Sequence, residues 1–293
     1  MDRIKNVIDN QINLNAGKNL FYKDTNLFSH SDELISIIDL IHKADDFTLN
    51  ILTDYAVKKC MEEFCRVNQY YNFNSDSQQE LKRIYTELVS NIKNKSESLE
   101  TSIHFHKMKL EKWIAETNPF SVKIYEKQDK ILKPVPCSEY TPELQLELLN
   151  IQLEKIISPV LDIGCGTKAS LANYLRDKGI EAYGIDRFTP ETLFTKSCDW
   201  LEYDYGTNKW GTIISNLGFS NHFMHHHLRT DGQYIEYAKK YMQILTSLKI
   251  GGAFHYAPAL PFIEQYLDKT VYQITTNEIN GEIYKSTSIK RVK

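Results

Sequence analysis

The sequence predicts an α/β protein: a mostly parallel sheet closed by a C-terminal antiparallel hairpin, preceded by a mainly helical N-terminal region. Three observations predict it. Residues 1–139 carry apolar residues at helical spacing, with little extended pattern. From residue 140 onward short β-rich runs alternate with helical stretches, the order that parallel strands joined by crossover helices require. Within that half, Val160-Leu161-Asp162-Ile163-Gly164-Cys165-Gly166-Thr167-Lys168 reads as a buried strand, a tight glycine turn and the start of a helix.

In the helical region Ile4, Val7 and Ile8 open one apolar stripe. Ser31 before Asp32 and Glu33 reads as an N-cap with acids in the first turn, followed by Leu34, Ile35, Ile38 and Ile41. Leu81, Ile84, Tyr85, Leu88 and Val89 form another stripe, and Met108 with Trp113 a further one. No chemical motif occurs here. The expected role of residues 1–139 is a helical cap or lid that selects the substrate.

Residues 119–140 change character, because Val122, Ile124, Ile131 and Leu132 surround a polar Lys127-Gln128-Asp129-Lys130 turn. A short hairpin or an extended linker is expected, and Pro134 and Pro136 exclude regular helix. A helix restarts with Thr141 as N-cap and Pro142 at its first position, its apolar side being Leu144, Leu148, Ile151 and Ile156.

Residues 140–293 then form the second domain. Strands are predicted at about 159–163 and 181–186, with a helix at about 168–178 between them. A short helix and a third strand precede Asp199, and Thr212–Asn216 is a fourth strand. A helix from Tyr234 is expected to end through Leu248-Lys249-Ile250-Gly251-Gly252, with Ala253–Tyr256 as the fifth strand. The tail alternates on either side of Asn280-Gly281, a strong hairpin signal.

Composition narrows the function. With 293 residues, 42% hydrophobic, the chain can bury a sizeable core. A formal charge of −3 argues against a broad nucleic-acid footprint. The five cysteines are scattered without a Cys-x-x-Cys pair, which suggests neither a disulfide framework nor a cysteine-rich zinc site. The first residues lack the apolar run of a signal peptide, and no segment is apolar for long enough to span a bilayer. A cytoplasmic protein is expected.

The glycine turn carries the chemistry. Gly164 and Gly166 lack a Cβ, so the backbone can turn sharply and approach a ligand. The helix that follows offers unpaired N–H groups to a carboxylate or phosphate. Asp186 lies 22 residues after Gly164, where an acid at the tip of the second strand can hold ribose hydroxyls. A nucleoside-bearing cofactor is therefore expected. Gly164-x-Gly166-x-x-Ala169 also satisfies the dinucleotide fingerprint, so the loop alone does not choose the cofactor.

Three further features do: Asp162 two residues before the first glycine, the Leu248-Lys249-x-Gly251-Gly252 turn, and the closing hairpin. Together these resemble the class I S-adenosylmethionine-dependent methyltransferases over about residues 140–293. The resemblance implies a Rossmann-like seven-stranded sheet and S-adenosyl-L-methionine as cofactor. The chain departs from the family pattern with Lys168 where a third glycine is usual. The resemblance implies that Gly164, Cys165 and Gly166 pass beneath the methionine portion and that Asp162 orients the loop and the amino group. It implies that Asp186 binds the ribose, that Asp199 accepts from the adenine amino group and that Trp200 lies against the adenine. Glu202 and Asp204 lie close enough to replace Asp199. Asn216, at the tip of the fourth strand, faces the reactive sulfonium in this scheme. Arg187 either borders the adenosine or is solvated. Glu139, Tyr140 and Gln145 precede the first strand closely enough to fold over the cofactor. Cys165, with no activating partner in the sequence, reads as a small residue tolerated in the loop and not as a nucleophile.

Residues after the fourth strand border the acceptor in this fold, and here they run Ser215-Asn216-Leu217-Gly218-Phe219-Ser220-Asn221-His222-Phe223-Met224-His225-His226-His227. The Asn-Pro-Pro-aromatic signature of enzymes that methylate base amines or glutamine is missing from this run. His222 or His226 is the candidate general base, since imidazole titrates near neutral pH. Packing or capping explains the same histidines. Metal binding through His222 and His226 is a third reading, without an acidic partner at a recognised spacing, and no metal site is assigned. Phe219, Phe223, Tyr256 and Phe262 either line an apolar substrate pocket or pack the core. The reading is methyl transfer to a small molecule. The rivals are a protein or RNA methyltransferase, with Lys107, Lys109, Lys112, Lys123, Lys127, Lys130 and Lys133 as a basic stripe, and a non-catalytic binder of the cofactor.

Overall fold

Where a side-chain oxygen precedes an apolar stripe, a helix begins. The computed structural model describes residues 1–23, 31–134, 139–279 and 285–293, and the chain divides into two compact units, Met1–Cys137 and Ser138–Lys293. The first unit contains α1 (Asp2–Leu14), α2 (Asp32–Lys43), α3 (Asp46–Val67), α4 (Ser75–Asn94), α5 (Leu99–Thr117) and α6 (Phe120–Tyr125). Ser31, Asp45, Asn74 and Ser98 each accept from an amide three residues on, which satisfies one orphan donor at the starts of α2 to α5.

The helical stripes pack with some shifts from expectation. Leu34, Ile37 and Ile41 form the inner face of α2, whereas Ile35 points to solvent. Trp113 of α5 is buried against Phe73, while Met108 is exposed. The hairpin or linker expected over 119–140 is instead α6 for its first third. Burial of Phe120, Ser121 and Tyr125 at helical spacing outweighs the alternation of Val122 and Ile124. An isolated antiparallel bridge, Lys18 to Ile131, follows it.

The second unit opens with α7 (Pro142–Leu148), whose Thr141 cap accepts from Leu144 and whose first residue is proline. Its buried residue is Leu146, followed by Leu149; Leu148, Ile151 and Ile156 pack partly buried against the same core, whereas Leu144 is exposed. A 3-10 turn at Leu153–Lys155 leads to the sheet. The sheet comprises β1 (Val160–Ile163), β2 (Ala182–Asp186), β3 (Thr195–Ser197), β4 (Trp210–Asn216), β5 (Leu248–Ala257), β6 (Tyr272–Glu278) and β7 (Lys285–Arg291). Its order is β3-β2-β1-β4-β5-β7-β6, and β7 runs against both neighbours. This is the seven-stranded, mostly parallel Rossmann-like sheet that the resemblance implied. The Asn280-Gly281 turn lies outside the described residues.

Three helices pack the crossovers: α8 (Ser170–Asp177), α9 (Phe219–His227) and α10 (Tyr234–Ser247); a last turn, α11, spans Pro261–Glu264. No helix forms between β2 and β3. Pro190 cannot donate, the Asp186 carboxylate takes the Phe188 amide, and the Thr192 hydroxyl takes the amides of Phe194 and Thr195. Residues Leu248 to Gly252, expected as a helix end, already belong to β5. Gly252 allows this, since a Cβ there would sit 2.7 Å from the Gly211 carbonyl oxygen of β4.

Candidate functional site

In an open α/β sheet the ligand crevice lies beyond the carboxyl ends of the strands, where the strand order reverses. Here the reversal falls between β1 and β4. The β1 strand is buried along its whole length and ends in Gly164 and Gly166, with φ of +79° and +72°. Only glycine adopts such angles without strain, so the two glycines fix the turn. Gly164 and Cys165 donate their amides to the Ile185 carbonyl at 2.8 and 3.1 Å, locking the loop to the end of β2.

Asp186 then reaches across. Its Oδ2 accepts from the Gly166 amide at 3.3 Å and its Oδ1 from Phe188 at 3.0 Å. From the other side Glu139 Oε1 accepts from the Thr167 amide at 3.0 Å and from its hydroxyl at 2.7 Å. Tyr140 and Gln145 follow it, joined by a bond from the Gln145 side-chain amide to the Tyr140 carbonyl at 2.9 Å. Residues 139–145 thus run from the glycine loop into α7. Asp162, beneath the loop, is buried, and burial together with the neighbouring Asp186 charge pushes its carboxyl up to about 7.

Cys165 is a packing residue here. A Cβ on Gly184 would sit 2.8 Å from its sulfur, so β2 carries a glycine to admit this side chain. Burial pushes the thiol well above its ordinary value, with Asp162 and Asp186 adding to the effect, which disfavours the thiolate. The sequence reading missed Gly184, because its neighbour is set by the β1–β2 pairing and not by local spacing.

A second group of predicted residues lies next to the first. The Trp200 ring comes within 3.3 Å of a Cβ built on Gly164, so the indole rests on the loop. The His222 ring meets Trp200 edge to face at 4.9 Å, and the Arg187 guanidinium stands 5.8 Å from the indole. Asp199 is buried; its Oδ1 accepts from the Leu201 amide at 2.8 Å, while its Oδ2 has no partner among the described residues. Burial raises its pKa, partly offset by that bond and by Arg187. Glu202 and Asp204 are solvent-exposed, whereas Asp199, just beyond β3, is buried.

Asn216 ends β4, and neither atom of its side-chain amide finds a partner among the described residues. An amide buried in this state costs free energy unless something supplies the missing bonds. The knot beside it went unnoticed in the sequence. Ser215 donates its hydroxyl to the Ile163 carbonyl at 2.9 Å and accepts from the Phe219 amide at 3.0 Å, tying β1, β4 and α9 together. Gly218 packs near Gly164, 3.8 Å separating its notional Cβ from the Gly164 Cα.

The histidines of α9 divide by face. His222 and His226 are buried and near each other. His226 stacks on Tyr237 at 4.9 Å and its Nδ1 accepts from the Gln233 amide at 3.2 Å. His225 meets Arg229 at 2.9 Å, and His227 stacks on Phe262 at 3.7 Å. Burial holds His222 well below the ordinary imidazole range and His226 down at about 4, so both rings are neutral at pH 7. Phe219, Phe223 and Tyr256 are core residues, with Phe262 packed against them. Among the described residues no group of three histidine, cysteine or acidic side chains could hold a metal ion.

No family model matches the sequence, and no curated protein matches it. Solved structures do. A TehB-like SAM-dependent methyltransferase from Corynebacterium glutamicum is 13% identical, over 45% of this chain and 79% of its own, with a TM-score of 0.33. The 1,6-didemethyltoxoflavin-N1-methyltransferase of Burkholderia thailandensis is 16% identical, over 46% and 71%, with a TM-score of 0.34. A SAM-dependent methyltransferase from Bacteroides fragilis is 12% identical, over 53% and 84%, with a TM-score of 0.32. The fold assignment rests on the strand order itself. No described helix is long and apolar enough to cross a membrane.

Proposed function

We propose that this chain is an S-adenosylmethionine-dependent methyltransferase acting on a small molecule. The observation that carries the reading is the set of polar groups left waiting at the strand tips beside the glycine loop. Asp199 Oδ2 and both ends of the Asn216 amide are buried without partners among the described residues. Buried groups of this kind are ordinarily met by protein, ordered water or a ligand, and these lie at the ends of β3 and β4 beside the glycine loop.

The residues fit this cofactor. Asp186 would take the ribose hydroxyls, Asp199 Oδ2 the adenine amino group, and Trp200 and Arg187 would border the base. Asp162 and the backbone of Gly164, Cys165 and Gly166 would hold the methionine portion. The cofactor supplies an activated methyl group on a sulfonium, so the protein has chiefly to position the acceptor opposite it and remove a proton where needed. Asn216 would orient the acceptor side of the crevice. Between the two histidine candidates the geometry favours His222, which touches Trp200, over His226, whose Nδ1 and ring face are already engaged.

A small acceptor is favoured over RNA because the lysines expected to form a basic stripe are partly neutralised. Lys109 pairs with Glu87 and Lys112 with Glu116. Calorimetric titration with S-adenosylhomocysteine tests the cofactor, and acceptor pools with labelled donor test the transfer. Absence of binding by both donor and product would end the proposal. Binding without transfer to any pool would leave a non-catalytic binder of the cofactor.

A further inference from the structure

Three neighbouring strands carry buried polar atoms that meet no partner among the described residues. They are both ends of the Asn216 amide on β4, Nδ1 of His255 on β5 and Oγ of Ser286 on β7. The register sets all three side chains on one face of the sheet. Asn216 pairs with Ala257, Ile214 with His255, and His255 in turn with Ser288 of β7. Side chains alternate along a strand, so Asn216 shares the face of Ile214, and Ser286 that of Ser288. Ile214 and Ala257 belong to the apolar cluster of α7 and α8, whereas Tyr256, between His255 and Ala257, belongs to the core on the other face.

The cluster lies at the carboxyl ends of β4 and β5, level with the amino end of the antiparallel β7. Adjacent strands run about 4.8 Å apart, so it spans roughly 10 Å, the reach of one small heterocycle and its substituents. Asn216 and His255 are each partly exposed, which brings the cluster to the surface of the unit. It carries no charge of its own. Burial alone holds the His255 imidazole down at about 4, so the ring is neutral at pH 7. Ser288, Thr275 and Asn277 extend the same face across β7 and β6 with further neutral polar groups. An uncharged ligand suits such a surface better than an ion, which would find no counter-charge there.

The ligand's hydrogen-bonding edge follows from Asn216. A side-chain amide offers an N–H donor and a carbonyl acceptor side by side in one plane. With both ends unpartnered, its complement is a second amide edge of the same kind, which a lactam ring presents. We propose that Asn216, His255 and Ser286 form the acceptor site, and that it takes an uncharged lactam, a ring with N–H beside C=O. Asn216 Oδ1 accepts from the ring N–H and Nδ2 donates to the ring carbonyl, while His255 and Ser286 meet further polar atoms of the same molecule. The assignment rests on the methyl-transfer reading and names the acceptor class for it.

The test uses the full chain saturated with S-adenosylhomocysteine, 2-pyridone as the probe, calorimetry, and NMR of nitrogen-labelled histidine assigned with His255→Phe. 2-Pyridone should bind with a dissociation constant of about 1 mM or below and shift the His255 ring nitrogens. 1-Methyl-2-pyridone, which lacks the N–H, and benzoate, which is charged, should bind about tenfold more weakly. Asn216→Leu and Ser286→Ala should each weaken 2-pyridone about two- to tenfold. Both should leave the thermal midpoint of the free chain unchanged or higher, since each removes a buried polar group that has no partner. A lowered midpoint with undiminished 2-pyridone binding would give these side chains a structural role and overturn the site. Ser286→Ala carries the comparison alone where circular dichroism shows that Asn216→Leu does not fold. If S-adenosylhomocysteine binds but 2-pyridone leaves His255 unshifted, the lactam site falls and the cofactor reading stands. Equal affinity for the two pyridones overturns the amide edge, and failure of S-adenosylhomocysteine to bind ends both readings.

Discussion

Glu139 Oε1 accepts both the amide and the hydroxyl of Thr167, and so sets a carboxyl group against the glycine loop. A Cβ on Gly166 would lie 2.9 Å from that same oxygen. A ligand bearing its own carboxylate has to share or displace this contact. Glu139→Ala should therefore bind S-adenosylhomocysteine about two- to tenfold more tightly, the worth of roughly one such bond. Affinity for 5′-methylthioadenosine, which has no carboxylate, should not change. Equal effects on both ligands, measured by calorimetry, would show that Glu139 only shapes the loop.

Asp162 predicts a stability profile of unusual sign. Its folded carboxyl titrates at about 7, above the unfolded value near 3.9, so the folded chain binds more protons between those limits. Stability from this group is full below about pH 4, falls as pH rises towards 7 and levels off above it. Asp162→Asn mimics the protonated form. It should raise unfolding free energy at pH 8 by on the order of 1–3 kcal/mol and change little at pH 4. Urea denaturation at the two pH values measures this. An equal effect at both would mean that the carboxyl is not perturbed in the fold.

How much of this was legible in the sequence depends on where each signal lives. The positive φ of Gly164 and Gly166 and the place of Asp186 at the end of β2 were readable because they follow from backbone sterics and position along one strand–loop–helix unit. Pro142 after Thr141 marked its helix for the same local reason. Helix α6 was not readable: Val122 and Ile124 alternate like a strand, and only burial of Phe120 and Tyr125 in the folded unit decides otherwise. Gly184 and Ser215 were invisible because their partners, Cys165 and Ile163, meet them only across the sheet. The α9 histidines were legible as a cluster but not as two buried and two engaged elsewhere, since that division depends on Tyr237, Arg229 and Phe262.

Asp199 offers a test of base recognition. Its Oδ2 is the acceptor without a partner among the described residues, while Oδ1 already serves Leu201. Asp199→Asn keeps one acceptor and puts a donor where the adenine amino group would come. Affinity for S-adenosylhomocysteine should fall about 10- to 100-fold, the worth of a bond to a charged group. The inosine analogue, which lacks the amino group, should lose less. A mutant that weakens both analogues equally would move adenine recognition elsewhere.

The Gly184–Cys165 contact predicts a coupled pair. Gly184→Ala would push a methyl group to 2.8 Å from the Cys165 sulfur, inside van der Waals contact. Overpacking of this kind costs about 1–3 kcal/mol. Adding Cys165→Ala removes the sulfur but keeps the Cβ at 3.0 Å, so part of the loss should return. A thermal or urea double-mutant cycle reads the coupling, and additive effects would contradict the contact.

His222 is the candidate whose chemistry and packing can be separated. Its ring packs edge-on against Trp200, so a phenyl ring can replace the contact but not the nitrogen. If imidazole takes part in proton removal, His222→Phe and His222→Ala should both lower turnover by about 10²- to 10⁴-fold while affinity for S-adenosylhomocysteine changes little. If it supports Trp200 alone, His222→Phe should keep turnover and His222→Ala should lose cofactor affinity. Burial also holds the ring neutral across the neutral range, with Arg187 and the adjacent histidines adding to the effect. Turnover in the parent should therefore show no imidazole inflection between pH 6 and 8. An inflection there that disappears in His222→Phe would mean the ring is solvated during turnover, which the buried position argues against.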